Sequence, residues 1–313
     1  MKINQHILFF FSNAIGDAFM VLPTIRAFKE NYQKVSIICD SNYYFLFQEI
    51  DFECVFFLYQ IENVIYSNIS ITTISEIQKK HFDFFISLSS YHNETIEKIL
   101  KNVNFKVKIG YTGSIYDYEI ADPYCKTNMF DVYFKSFQYF NKEALIIDYS
   151  DKIIPKNQIL DSNNFKNEFK IITVHTDTKP EKTWKSYNFF NLISKIINEY
   201  EDVLIVIIGI PKINFSSISD RIIQFDTPNF FVSWEMLNMS DFFIGLDSCF
   251  MHLADINNIP SITLFGETNE AEWGYRFNEN GKIIKAKNGL LQNISVNSIF
   301  KKLSIKMEQI SSN

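Results

Sequence analysis

The sequence predicts an α/β fold of two domains, each built on a mainly parallel sheet, and three observations predict it. Short runs rich in β-branched and aromatic residues recur along the chain with amphipathic, helix-length stretches between them, the pattern of βαβ units. At 313 residues the chain can bury two cores of ordinary size. Near the middle the text turns polar and Asn-rich and loses its periodicity, as "DKIIPKNQILDSNNFKNE" over residues 151–168, which reads as a linker.

The elements follow in order. "HILFFF" at 6–11 is the first buried strand, "SNAIGD" a turn, and a helix runs from about Ala18 to Tyr32. "KVSIICD" at 34–40 is the second strand, and "CVFFLY" near 54, "FDFFISLS" near 82 and "VKIGY" near 107 bring residues 1–150 to about five strands. After the linker, residues 169–294 repeat the pattern. "KIITVHT" (170–176) is a strand, "YNFFNLISKIINEY" (187–200) an amphipathic helix, "VLIVIIG" a strand, "SWEMLNMS" a short helix and "FFIGL" a strand. Then come the helix "CFMHLADINN" and the strand "SITLFG". Residues 295–313 hold a final helix whose Val296, Ile299, Phe300, Leu303, Met307 and Ile310 share one face, expected to pack back toward the N-terminal domain.

Composition excludes several classes. A net charge of −6 lacks the basic balance that phosphate-backbone binding requires, so nucleic acid is not an expected partner. The N-terminus reaches polar and acidic residues within a dozen positions, unlike a secretory signal, and "VLIVIIGI" is far shorter than the roughly 20 residues that span a bilayer. A cytoplasmic protein is expected. Cys39, Cys54, Cys125 and Cys249 form no CxxC pair and the five histidines are scattered, so neither a disulfide framework nor a metal site is expected.

In open α/β sheets ligands collect at the carboxyl ends of strands, and two such domains leave a cleft between them. Three stretches occupy those ends. In "FFIGLDSCFMHLADINN" the strand ends at Asp247, which can cap the next helix, whose first-turn N–H groups form an anion site. Ser248 adds a hydroxyl, and His252 lies four residues on, its side chain leaning back toward the helix start. The plain alternative makes Asp247 only a cap and His252 a buried, satisfied imidazole. In "VHTDTKPEKTW", Thr176 and Thr178 supply hydroxyls, Lys182 a mobile cation and Trp184 an anchor for the next helix, a set suited to a diphosphate; the alternative is a solvated loop. In "SNAIGDAFMVLPTIRAFK", Gly16 permits a tight turn and Asp17 opens the helix, either as a general base or as an acid that complements the helix dipole. Neither GxGxxG nor GxxxxGK[ST] occurs, which disfavours a dinucleotide-dependent dehydrogenase and a P-loop NTPase.

Taken together, "GDAFMVLP", "HTDTKPEKTW" and "GLDSCFMHLADINNIPSITLFGET" resemble the ADP-heptose:lipopolysaccharide heptosyltransferase family, glycosyltransferase family 9, in order and spacing across both domains. The resemblance implies the GT-B fold, two Rossmann-like domains facing a central cleft with the donor nucleotide on the C-terminal one. It implies an inverting, metal-independent transfer of a sugar, heptose first, from a nucleoside-diphosphate sugar such as ADP-heptose to a hydroxyl of a surface glycan such as lipopolysaccharide core. The sugar nucleotide is then a substrate, no cofactor is expected, and the acceptor implies peripheral contact with the inner membrane. Residue by residue, it makes Asp17 the general base, Lys182 and Thr178 diphosphate ligands, and Asp247, Ser248 and His252 donor-binding residues, with Thr176 and Cys249 at the same turns. The chain departs from the family pattern at Cys249, where Gly is usual, at Phe250, where Pro is common, and at Glu267, while it keeps Thr268 and a downstream Trp273. Two rival readings are a catalytically silent relative that binds a nucleotide or partner, and a GT-B sugar-nucleotide epimerase.

Overall fold

The computed structural model describes residues 2–60, 67–91, 94–155, 169–225 and 229–311, and the chain divides into two compact units, Met1–Asp151 and Lys152–Asn313. The linker expected at 151–168 falls, from residue 156 on, outside the described residues.

The first unit is built on β1 (Ile3–Phe11), β2 (Tyr32–Asp40), β3 (Val55–Gln60), β4 (Ser67–Asn68), β5 (Phe84–Ser87), β6 (Val107–Gly110) and β7 (Tyr118–Glu119). These form one sheet in the order β4-β3-β2-β1-β5-β6-β7, parallel except for the β3–β4 pair. Its helices are α1 (Ile15–Asn31), α2 (Ile71–Gln78), α3 (Glu94–Asn102) and α4 (Met129–Gln138). The central strands run without alternation, as in "ILFFF", because helices cover both faces. On one face α1 and α4 pack on the sheet through aromatic edges, with Phe28 meeting Phe9 at 5.2 Å and Phe137 at 5.0 Å between ring centres. On the other, Leu8, Phe10, Phe85, Ile74 and Ile96 close a second core under α2 and α3.

The helix expected over 18–32 starts earlier, at Ile15, so Gly16 is its second residue rather than the pivot of a tight turn, and Asp17 stands in its first turn. Tyr32 belongs to β2 instead, where its backbone is extended. The two-residue strands β4 and β7 at the sheet edges are too short to leave a periodic trace.

The second unit contains β8 (Lys170–His175), β9 (Val203–Ile208), β10 (Ile222–Gln224), β11 (Phe242–Leu246), β12 (Ser261–Phe265) and β13 (Gly281–Lys285). All pair in parallel in the order β10-β9-β8-β11-β12-β13, the doubly wound arrangement whose direction reverses between β8 and β11. Its helices are α5 (Ser186–Glu199), α6 (Phe230–Met239), α7 (Cys249–Ile256), the single turn α8 (Glu270–Trp273) and α9 (Val296–Ser311). The chain is tied into this unit at Ile153: its N–H donates to Asn257 Oδ1, and its carbonyl accepts from Asn257, Asn238 and Trp234.

Within its own unit, α9 buries Ile299, Leu303 and Met307 in the core of residues 152–313, against α5. The reason is local supply: α5 offers Leu192, Ile193 and Ile196 on its own buried face, and covering them needs an apolar partner. The expected stripe residue Ile310 has no described side chain. Among the described residues no helix is long and apolar enough to cross a membrane.

Candidate active site

The residues that sequence reasoning drew from two separate stretches of the second unit meet at the switch point of its sheet. β8 ends at His175 and β11 at Leu246, neighbouring strands, so the loops that leave them lie side by side. Lys182 closes a short turn, Pro180–Lys182, and its Nζ sits 2.6 Å from Asp247 Oδ2. Thr268, in the loop after β12, donates its hydroxyl to the same oxygen at 2.5 Å. Thr178 Oγ1 donates to the Asp247 carbonyl at 3.5 Å. Trp184, fully buried against Phe189 at 4.9 Å, anchors the loop to α5 as expected.

Asp247 therefore does not cap α7. Ser248 holds the N-cap position, and its side chain makes no capping hydrogen bond, because its hydroxyl is paired with His175 Nδ1 at 3.1 Å. The Asp247 carboxylate, 6% exposed, is drawn instead to the Lys182 ammonium, a stronger partner than a backbone N–H. The N-cap side chain thus makes no bond to the first-turn N–H groups of α7, and Cys249, half-buried at the first helical position, turns its thiol toward the amides of that turn. Burial pushes this thiol up to about 12.

His252 lies one turn into α7, buried below the opening with its ring 6.4 Å from that of Trp273. Burial pulls its imidazole down to about 4, with Asp247 opposing, so it is neutral at neutral pH. Thr176 is buried too, and among the described residues its hydroxyl has no hydrogen-bond partner.

Sequence reasoning missed a cavity beside this cluster. It has a volume of about 250 Å³ and is lined by His175, Asp177, Gly209, Phe230, Ser233 and Phe250, among others. Phe250 stacks on Phe230 at 5.4 Å and meets the His175 ring edge-on at 4.8 Å. Gly209 is held at φ 82°, and a Cβ there would lie 2.6 Å from His175 Cδ2, so the chain approaches this ring as only glycine allows. Burial pulls His175 down to about 4, and it is neutral at neutral pH. The available signal was position: His175 is a polar residue at the carboxyl end of a central strand.

Asp17 belongs to the first unit, and its surroundings are described within that unit. It is half-buried in the first turn of α1 and accepts a hydrogen bond from Tyr133 of α4 at 3.2 Å. Burial pushes its carboxyl up to about 6, opposed by hydrogen bonds from Tyr133, the Ala14 backbone and Asn13. A carboxyl titrating there is poised to accept a proton near neutral pH. Among the described residues no group of three His, Cys, Asp or Glu side chains is placed to hold a metal ion.

Comparison with known proteins bears on this arrangement in three ways. Residues 232–304 match the model of glycosyltransferase family 9 (heptosyltransferase), a span that holds Asp247, Ser248, His252 and Thr268. No curated protein sequence matches. Solved structures match over nearly the full chain at low identity. A family 9 glycosyl transferase from Veillonella parvula is 14% identical, covers 97% of this chain and 98% of its own, with a TM-score of 0.72. The ADP-heptose LPS heptosyltransferase II of E. coli is 15% identical over 98% of this chain and 100% of its own, with a TM-score of 0.71. The E. coli heptosyltransferase WaaC, solved with ADP, is 13% identical over 96% of this chain and 99% of its own, with a TM-score of 0.68. At such identities the likeness shows the fold, which is GT-B. The family model matches residues 232–304 of the second unit, and the GT-B fold is shared with family 9 structures along nearly the whole chain.

Proposed function

We propose that the chain is an inverting, metal-independent glycosyltransferase that moves a sugar, heptose first, from a nucleoside-diphosphate sugar to a hydroxyl of a surface glycan such as lipopolysaccharide core. The observation that carries this reading is the convergence of Lys182, Thr178, Ser248 and the uncapped start of α7 at one switch point, beside a cavity walled by two stacked phenylalanines. That is a diphosphate site adjoining a slot for a flat ring. The solved relative WaaC holds ADP, and a second structure of it holds ADP-2-deoxy-2-fluoro heptose, which supports ADP-heptose as the first donor to try.

The chemistry follows from the residues. As the sugar's anomeric bond to the diphosphate breaks, negative charge grows on the departing oxygens, and Lys182, Thr178, Ser248 and the helix amides are fixed donors for it. Lys182 exchanges its Asp247 partner for the diphosphate or bridges both, and Thr268 keeps Asp247 anchored in either case. The acceptor hydroxyl attacks the opposite face of the anomeric carbon while Asp17 takes its proton, which inverts the centre in one displacement. His252 and Thr176 support the diphosphate turn from beneath, and Cys249 lines it. The charge stabilisation comes from protein groups, and peripheral contact with the inner membrane brings a lipid-linked acceptor to the enzyme.

The test is direct. The purified chain is given ADP-heptose with and without a lipopolysaccharide core acceptor, in chelator, and the acceptor's mass and the anomeric configuration of the product are read. Mass gain of one heptose with inverted configuration supports the proposal. An isomerised sugar nucleotide in the absence of acceptor would instead mark an epimerase, and no turnover with any sugar nucleotide that binds would mark a silent relative. A nucleotide present at about 100 times its Kd raises stability by roughly 2.7 kcal/mol, so a thermal-shift screen of nucleoside diphosphates identifies the base.

A further inference from the structure

Tyr133 is fully buried in α4, yet its hydroxyl is committed to a chain of polar groups that ends on Asp17. The chain has a single direction. The Ser90 backbone N–H, which can only donate, points at Asn13 Oδ1 at 3.3 Å and so fixes that end of the amide as the oxygen, while Nδ2 also reaches Ser90 Oγ at 3.3 Å. The opposite end, Asn13 Nδ2, then donates to Tyr133 Oη at 3.0 Å. Because the amide nitrogen carries no acceptor, the phenol oxygen accepts there, and its one proton is left for Asp17 Oδ1 at 3.2 Å. Asn13 is itself buried in the turn after β1, so both Asn13 and Tyr133 are held by packing rather than by solvent.

We propose that Tyr133, oriented by Asn13, is a positioning residue for Asp17: its hydroxyl occupies Oδ1 and sets the carboxylate's rotation, leaving Oδ2 as the atom that takes the proton of an acceptor hydroxyl. The inference rests on the reading of Asp17 as the base. The proton passes from the acceptor oxygen to Oδ2, while the phenol keeps its own, since burial and the Asp17 charge hold Tyr133 well above the ordinary tyrosine range. No charged side chain is among the groups that act most on Asp17. Tyr133 faces it from α4 and Asn13 and Ala14 from the turn before α1, while the Ser90 side chain and Tyr111 act on Tyr133 in turn. Burial raises the Asp17 carboxyl, and the Tyr133 hydrogen bond is the largest effect opposing it. Removing that donor raises the carboxyl further.

Tyr133→Phe deletes the oxygen and keeps the ring; Asn13→Ala removes the group that orients it together with Asn13's own, weaker hydrogen bond to Asp17. Full-length protein labelled with carbon-13 at aspartate carboxyls is titrated by NMR, the Asp17 resonance being the one absent from Asp17→Asn. The expected result is a higher Asp17 midpoint in Tyr133→Phe and a smaller rise in Asn13→Ala. A Tyr133→Phe midpoint equal to or below the parent's overturns the inference. In the transfer assay, a rise of about one pH unit lowers the Tyr133→Phe rate about tenfold well below the midpoint, and the gap narrows as pH rises. A rate lowered by one factor at every pH would mark a merely structural role and overturn the inference. Retention of transfer by Asp17→Asn would sink the base assignment itself, a result separable from these because the titration is read without turnover.

Discussion

Lys182 Nζ and Asp247 Oδ2 lie 2.6 Å apart, joining a loop after β8 to the residue that follows β11. The pair parks the lysine beside the opening of α7. Lys182→Met is expected to lower transfer by about 10² to 10³-fold, the usual loss when one preorganised donor to a developing anion is removed. Its effect on stability is expected to be small, since Thr268 still donates to Asp247. Steady-state kinetics beside a melting curve check both halves, and a variant that melts early at full activity would contradict the assignment.

Asp17→Asn is expected to abolish measurable transfer while nucleotide binding, read by calorimetry, changes little. The same variant reports on pH. Because the folded carboxyl titrates near 6 rather than at its ordinary 3.8, the native state binds more protons than the unfolded chain between those values. The stability contribution of the protonated carboxyl is therefore complete below the lower value and is lost as pH rises through the upper one. Asp17→Asn is expected to match the parent in stability near pH 4 and to exceed it by about 1–2 kcal/mol at pH 7.5, after discounting for partial exposure. Denaturant melts at the two pH values decide it.

Gly209→Ala places a Cβ at a positive φ and against the His175 ring. A loss of about 1–3 kcal/mol in stability is expected, with weaker nucleotide binding because His175 must move into the cavity. Thermal melts with and without nucleoside diphosphate would show both. Unchanged binding would place the flat ring of the donor elsewhere.

The thiols should separate by alkylation. Burial pushes Cys39 and Cys249 up to about 12, whereas Cys125 is exposed. At pH 8 iodoacetamide is expected to modify Cys125 well before Cys39 or Cys249, followed by peptide mass spectrometry. Rapid modification of Cys249 would mean that the start of α7 is far more open than its half-buried thiol implies.

Asp255 serves the fold rather than the chemistry. Fully buried at the end of α7, its two oxygens accept from the N–H groups of Arg276, Phe277 and Asn278, each at 2.8 Å. Asp255→Ala leaves three amides without their acceptor and is expected to cost about 2–4 kcal/mol. Urea unfolding gives the number, and a cost below about 1 kcal/mol would mean that water replaces the carboxylate.

Most of the fold was legible in the residue order because its central strands are long unbroken apolar runs. "HILFFF", "VLIVIIG", "FFIGL" and "SITLFG" are sandwiched between helices, and burial on both faces writes itself into composition. The edges were not legible. β10 is only three residues long, and β13 carries Lys282 and Lys285, so neither shows a core-facing pattern. The landing place of α9 was equally hidden: a periodic stripe states that a helix needs a partner and is silent about which one.

For the site, the sequence alone determined which residue types stand at strand ends, and so named Asp17, Thr178, Lys182, Asp247 and Ser248. Only tertiary structure decided what each one does with its hydrogen bonds. Asp247 looked like a helix cap because capping is a local pattern, but an ammonium from 65 residues away outcompetes a backbone amide for the same oxygen. His175 left only its position at a strand end and Tyr133 no signal, for the related reason that their partners, Ser248 and Asp17, lie 73 and 116 residues off. Periodicity records burial, a property of each residue's own neighbourhood; pairing across the chain depends on where the folded sheet brings its loops together.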